Sequence, residues 1–250
     1  MNFSDFFNNL KLSFNDFIKN PFLILPTLIL MFLLILLSKM SVFANHTLAN
    51  TSSFILTSVF SFYSLIVLLI VSFFTSMLIY FSGEAINKRF GKSSLSSFFK
   101  KSIKFWIGNF IIIILGIALL DLSIFLSTRV AAFLGHSFDF TGDQALWLFK
   151  SIFLLCMLLI AFLAYSSFAF ILEDSSIWKG IRKSIRIVKK NYISTLILIA
   201  LFYLIGILID MLGTKTNPII SSIIYSAIIS PYFAIVFSRI VLNNKENKTK

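Results

Sequence analysis

The sequence predicts an all-α polytopic membrane bundle of six transmembrane helices, with basic amphipathic helices at one membrane surface. Hydrophobic residues make up 58% of the 250 residues and charged residues only 13%, which is more apolar side chain than a water-soluble domain of this length can bury. The apolar residues form six blocks, each close to the ~20 residues that cross a ~30 Å hydrocarbon core as a helix. These blocks are continuous rather than alternating, which favours helices over a barrel.

The six predicted spans belong to one integral membrane domain, residues 1–250. They are Phe22–Leu37, Phe54–Phe81, Phe105–Leu126, Ala145–Leu172, Tyr192–Leu212 and Pro218–Leu242. The residues before the first span lack the short apolar core and the cleavage site of a signal peptide, so we expect that span to be retained. With a single cysteine, Cys156, no disulfide can form within the chain.

The basic residues divide unevenly between the two ends of the predicted spans. Of the 22 Lys and Arg residues, all but Lys39, Arg129, Lys150 and Lys215 fall on the side that holds both termini. The positive-inside rule therefore predicts a multi-pass protein of the cell membrane with both termini in the cytoplasm. The net charge of +12 then indicates a one-sided coat that faces anionic lipid headgroups, and we expect no nucleic-acid partner.

One basic segment occurs twice in the sequence in closely similar form. The sequence KKSIKFWIGNF begins at Lys100, RKSIRIVKKNY begins at Arg182, and a weaker copy, KLSFNDFIKNP, begins at Lys11. In each copy a serine precedes an asparagine by seven residues, and the asparagine stands where an odd-numbered span begins. This pattern predicts a threefold repeat over residues 4–83, 93–173 and 175–242, each with a surface helix, an outward crossing and a return. The alternative is that any multispan protein needs basic connectors on its inner side.

The strong copies have the periodicity of amphipathic helices. Ile177, Ile181 and Val188 fall on one helical face, and basic residues occupy much of the remainder, which is typical of helices that lie in a membrane interface. We expect Ser175 or Ser176 to cap the later helix, with Glu173-Asp174 favouring its positive end, and Glu84 to play the same part after span two. The residues predicted to contact anionic headgroups or an unidentified partner protein are Lys100, Lys101, Lys104, Lys179, Arg182, Lys183, Arg186, Lys189 and Lys190.

Glu173 to Asn191, with its acidic start, Lys179-Gly180 and a basic run, resembles a pattern in archaeal-type membrane protein families. The layout, including Lys19-Asn20-Pro21 and Pro231 in the last span, is also similar to the membrane domain that is fused to some glycerophosphodiester phosphodiesterases. The resemblance implies six membrane helices and no assigned activity.

Catalytic chemistry has little support in the sequence. His46 and His136 lie in predicted outer loops, without a set of further ligands at metal-binding spacing. Gly91-Lys92-Ser93 lacks the glycine-rich half of a phosphate-binding loop. We therefore expect a non-enzymatic protein with no catalytic residue, metal or cofactor. A lipid-headgroup enzyme is the third interpretation, which the lack of an inward-facing carboxylate or histidine cluster disfavours.

Two features keep a small transporter as the second interpretation. Asp121 and Lys150 lie at similar predicted depths in consecutive spans, so we expect them to pair, either as a helix-helix staple or as a substrate-binding pair. Pro231 should kink span six, and Ser72, Ser166 and Ser230 could line a polar path. The alternative for these serines is helix packing. Asn45 and Asn50 also begin matches to the glycosylation pattern in the first outer loop.

Cysteine labelling tests the predicted orientation. In a Cys156→Ser background, Lys101→Cys should resist a membrane-impermeant maleimide in intact cells and react after permeabilisation, because the positive-inside rule places it in the cytoplasm. Arg129→Cys, predicted on the opposite side, is the control and should react in intact cells. Labelling of position 101 from outside would contradict the orientation.

Overall fold

The protein is helical throughout the part described by the computed structural model, which covers residues 3–48, 53–88, 91–137, 150–151, 158, 161–215 and 218–246. No strand occurs in these ranges, so the predicted all-α class is confirmed. The α-helices are α1 (Phe3–Lys19), α2 (Ile24–Leu48), α3 (Ser53–Ile86), α4 (Lys92–Ser137), α5 (Ser166–Leu172), α6 (Ile177–Lys190), α7 (Tyr192–Lys215), α8 (Pro218–Ile224) and α9 (Ser230–Glu246). Short 3₁₀ turns precede α2 and α5, and a π-helical turn, Tyr225–Ile229, joins α8 to α9.

Five of the described helical segments are long and apolar enough to cross a membrane, which supports an integral membrane protein. They are Pro21–Lys39, Ser61–Ile86, Ser93–Val130, Tyr192–Ile209 and Ile220–Asn244. The first half of the predicted fourth span, Ala145–Leu172, lies largely outside the described residues. Its described end is a shorter apolar segment, Ala161–Leu172, so the described residues contain five of the six predicted crossings.

The predicted returning spans form the centre of the bundle. Helices α3, α5 and α9 pack against one another, and their buried aromatic and aliphatic side chains, among them Phe81, Phe170 and Ile235, belong to one cluster. A second cluster contains Tyr165, Phe233 and other residues of α6, α7 and α9. Side chains therefore fill the centre of the bundle where these two clusters lie.

Each basic helix packs on the returning helix that precedes it. Helix α4 packs on α3, α6 packs on α5, and α1, at the start of the chain, packs on α9 at its end. A threefold duplication would produce this cyclic order, since each unit would offer the same contact to the next. The duplication itself stays a prediction.

The three repeated asparagines do not have the same role in the fold. Asn20 precedes Pro21, and Asn191 (φ −132°, ψ 36°) caps the end of α6, so two basic helices end where the sequence predicts. Asn109 does not end a helix. Its amide donates across the bundle to the Ser72 carbonyl (3.1 Å) and to Thr75 Oγ1 (2.8 Å) on α3.

The expectation of a separate surface helix before span three is therefore wrong. Helix α4 runs unbroken for 46 residues through Asn109, and its basic start is an extension of the crossing helix. The physical reason is that no proline or cap interrupts the segment, while the Asn109 side chain is engaged by α3 rather than by its own backbone.

The contact of α6 with α5 depends on Gly180. A Cβ atom at this position would lie 2.9 Å from Phe170 Cβ and 3.0 Å from the Ser166 carbonyl oxygen, and backbone atoms cannot move aside cheaply. We expect Gly180→Ala to destabilise the protein by about 1–3 kcal/mol through overpacking, despite the better helix propensity of alanine.

Heat stability in detergent, read as the monodisperse fraction after size exclusion, checks this expectation. Gly116→Ala is the matched control, because a Cβ there meets no atom within 4 Å. Equal heat stability of the two variants would contradict the close packing of α6 on α5.

Candidate functional site

The basic segments meet at one end of the bundle. Phe17 of α1, Phe98 of α4 and Ile177 of α6 all contact or belong to the cluster that contains Leu23 and Ile235. Because one apolar cluster joins these elements, the charges of α1, α6, the start of α4 and the last turns of α9 lie near each other. We call this region the basic end.

Three acidic side chains at the basic end are bound by cations of the protein itself. Asp16 of α1 pairs with Arg239 of α9, and Glu173 pairs with Lys183, in both cases with side chains that are mostly buried. The Asp174 carboxylate accepts from both Lys101 and Lys104 of α4, with oxygen-to-nitrogen distances of 2.5 Å. These acids fasten the helices together and are engaged within the fold.

Asp174 ends α5 in a conformation that usually favours glycine. Its φ is 48°, and the Ser175 and Asp174 N–H groups donate back to the carbonyls of Phe170 and Ile171, as in a Schellman motif. Aspartate tolerates this left-handed region better than most residues. The hydrogen bonds from Lys101 and Lys104 lower the pKa of the Asp174 carboxyl below its ordinary value.

Helix α6 begins and packs as an amphipathic helix, but the protein covers its apolar face. The Ser176 side chain caps the helix by accepting from the Lys179 N–H (3.4 Å), which confirms the predicted cap. Its buried face is Gly180, Ile181, Ser184, Ile187 and Val188. The expectation that this apolar face enters the interface is therefore wrong, because α5 and the turn before it occupy that face.

The opposite face of α6 is cationic and exposed. Among the described residues, no acidic side chain pairs with any of five exposed cations of α6. These are Lys179, Arg182, Arg186, Lys189 and Lys190. Trp178 stands beside them with 69% of its surface exposed. Lys100 of α4 is exposed as well, so six of the nine predicted contact residues are exposed without an acidic partner among the described residues. Lys101 and Lys104 are also exposed but pair with Asp174, and Lys183 is mostly buried and pairs with Glu173.

Helix α1 exposes apolar side chains together with its lysines. Phe7, Phe14 and Ile18 are 52–60% exposed and share one helical face with Lys11, while Phe6 and Ser13 are buried against the bundle. The sequence shows the helical spacing of these apolar residues, but spacing alone does not indicate which of them face the bundle.

The predicted pair of Asp121 with Lys150 stays a prediction. Asp121 is exposed and lines an open cleft of about 510 Å³ together with Thr128 and Arg129, and the Arg129 guanidinium lies 5.2 Å from the centre of the Phe125 ring. The ion pairs between described residues do not include Asp121 with Lys150. Most of the fourth span around Lys150 lies outside the described residues.

The predicted polar path near Pro231 is divided between two environments. Ser72 and Ser166 are fully buried, and the Ser72 hydroxyl donates to the Trp106 carbonyl (2.9 Å), which is helix packing. Ser230 lines an open cavity. The helix accommodates Pro231 through the π-helical turn before it. The side chains of Asn45, His46, Asn50, His136 and Cys156 lie outside the described part.

No protein-family model matches the chain, and neither a curated protein nor a solved structure shows significant similarity to it.

The ion pairs of Asp174 should stabilise the protein in a pH-dependent way. Because the folded-state pKa is lowered, the stabilisation is complete above the ordinary carboxyl pKa of about 3.9 and is lost as the pH falls through the lowered value. We expect Asp174→Asn to cost under about 1 kcal/mol at pH 7, since these pairs are half-exposed.

The measurement is the heat stability of both proteins in detergent at pH 7 and pH 3. The difference between wild type and Asp174→Asn should be smaller at the lower pH, and high salt at pH 7 should also reduce it. A difference that is as large at pH 3 as at pH 7 would show that the carboxylate charge is not the cause.

Proposed function

We propose that this protein is an integral membrane protein that acts without catalysis, by holding the exposed cationic face of α6 against anionic lipid headgroups on the cytoplasmic side of the cell membrane. The observation that carries the proposal is the division of charge at the basic end. Asp16, Glu173 and Asp174 are engaged by internal cations, whereas the five exposed cations of α6 have no acidic partner among the described residues. Their charge is therefore available to an external anion.

The surface around these cations favours a lipid over a protein partner. Trp178 precedes Arg182 and Arg186 by four and eight residues, so the three side chains lie on one face of α6, and tryptophan is enriched where membrane meets water. Helix α1 adds Phe7, Phe14 and Ile18, which are exposed apolar groups suited to the headgroup boundary. A lysine or arginine near an anionic leaflet contributes about 1 kcal/mol of attraction.

Helices α1 and α6 contact the membrane in different ways in this proposal. Helix α1 enters the interface with its exposed apolar face, and α6, whose apolar face is already covered by the bundle, attracts headgroups by charge. The resemblance to the membrane domain fused to some glycerophosphodiester phosphodiesterases is in keeping with this proposal, since the resemblance carries no assigned activity.

Spin-labelled lipids in reconstituted membranes test the proposal. Wild-type protein should immobilise phosphatidylglycerol in preference to phosphatidylcholine, and the triple variant Arg182→Gln, Arg186→Gln, Lys189→Gln should lose most of that preference. The reason is the loss of three exposed charges, and 1 M salt should weaken the wild-type preference in the same way.

The matched control removes three cations from the predicted outer side: Lys39→Gln, Arg129→Gln and Lys215→Gln. This control has the same net charge as the α6 variant. It should keep the preference for phosphatidylglycerol over phosphatidylcholine in a membrane whose two leaflets have the same lipid composition. A preference that survives the α6 substitutions, or that falls equally in the control, would overturn the proposal. Capture of an acidic protein by α6 with no lipid preference would point to a protein partner instead.

A further inference from the structure

An open cavity of about 500 Å³ lies between α2, α7 and the π-helical turn. Apolar side chains of α2, such as Leu30 and Leu34, line one wall, and hydroxyl groups from the turn region line the other. Its volume falls within the range of about 300–1,000 Å³ of small-molecule sites. The cavity is distinct from the basic end and from the exposed face of α6.

Three hydroxyl groups in this wall have no hydrogen-bond partner among the described residues. Many serine and threonine side chains of the other spans donate to a carbonyl of their own helix, as Ser76, Ser82 and Ser127 do at 2.6–2.8 Å. The hydroxyls of Ser166 and Ser238 also lack a partner, but they are buried in the packed core and do not line the cavity. The hydroxyls of Ser226, Ser230 and Tyr225 form no hydrogen bond with any described residue. A hydroxyl that forms no hydrogen bond in an apolar medium costs free energy. A ligand that forms hydrogen bonds with these three hydroxyls would therefore be stabilised in the cavity.

These three hydroxyls lie in the π-helical turn or directly after it. The Ser230 N–H donates to the Tyr225 carbonyl, five residues back, which widens the helix by one residue per turn relative to an α-helix. Pro231 follows and brings no N–H, so a carbonyl of the turn also loses its backbone donor. Turns of this kind occur frequently at functional sites.

We propose that this cavity binds an uncharged single-chain amphipath, with its hydroxyl or ester group on the Ser226 and Ser230 hydroxyls and its chain along α2. Among the described residues, no side chain that lines the cavity is an acid or a base of ordinary pH, so these residues offer no counter-charge to an ionic headgroup. The mixture of unpaired hydroxyls and aliphatic surface matches a polar group joined to a hydrocarbon body. The site takes its ligand from the membrane, because the lining helices α2 and α7 expose apolar residues such as Phe32 and Leu208 on their outer faces.

Photocrosslinking with a diazirine-bearing monoacylglycerol in nanodiscs tests the site. Mass spectrometry should place the adducts on cavity-lining residues, and unlabelled 1-oleoylglycerol should compete for them. Ser226→Ala with Ser230→Ala should weaken the competition, by about fivefold for each hydrogen bond lost.

Gly206→Leu gives an independent variant that fills the cavity. A Cβ at Gly206 lies 3.7 Å from the Tyr225 ring, so the backbone admits a side chain there and the added atoms enter the cavity. It should reduce the adducts at least tenfold, whereas Gly116→Leu, where a Cβ meets no atom within 4 Å, should leave them unchanged.

Three results would overturn the proposal. One is labelling that spreads over the outer helices and is insensitive to Gly206→Leu. Another is equal competition by phosphatidylglycerol, which would indicate ordinary annular lipid. The third is rapid reaction of Ser226→Cys, in a Cys156→Ser background, with a charged water-soluble thiosulfonate, because that would make the cavity a hydrated path. None of these results depends on the headgroup preference of α6.

Discussion

The arrangement of the basic end depends on the internal neutralisation of its acids. Asp16, Glu173 and Asp174 each bind a lysine or arginine from a neighbouring turn or helix, and through these pairs α1 is joined to α9 and α4 to the α5–α6 connection. The pairs engage these three acids with other cations and leave five cations of α6 exposed without an acidic partner among the described residues. One set of contacts therefore both fastens the helices and determines which charges remain on the surface.

The crossings and the charge asymmetry could be predicted from the sequence because they depend on local composition. The apolar runs needed no tertiary information, and Ser176 at the start of α6 followed from a short-range capping rule. The separate helix before span three could not be predicted correctly, because the continuity of α4 depends on Asn109 bonding to α3, a contact between residues far apart in sequence. For the same reason, hydrophobic periodicity alone could not indicate that α5 covers the apolar face of α6.

Lys183 illustrates the same limit within the candidate site. By spacing it belongs with Arg182 and Arg186, yet it points to Glu173 and is mostly buried, whereas its neighbours are exposed. Nothing in the one-dimensional pattern distinguishes a cation that stabilises the fold from one that faces outward. Likewise, Ser72 and Ser230 are similar in sequence context, and only the path of the chain makes the first a packing contact and the second part of a cavity wall.

The continuity of α4 has a mechanical consequence. At ~1.5 Å per residue, its 46 residues form a rod of about 69 Å, longer than the hydrocarbon core it crosses. Near one end, Lys101 and Lys104 bind Asp174, and the other end carries Asp121 and Arg129, which line a cleft. Because the helix is continuous, a change in tilt imposed on its cationic end by the surrounding leaflet would also move this cleft.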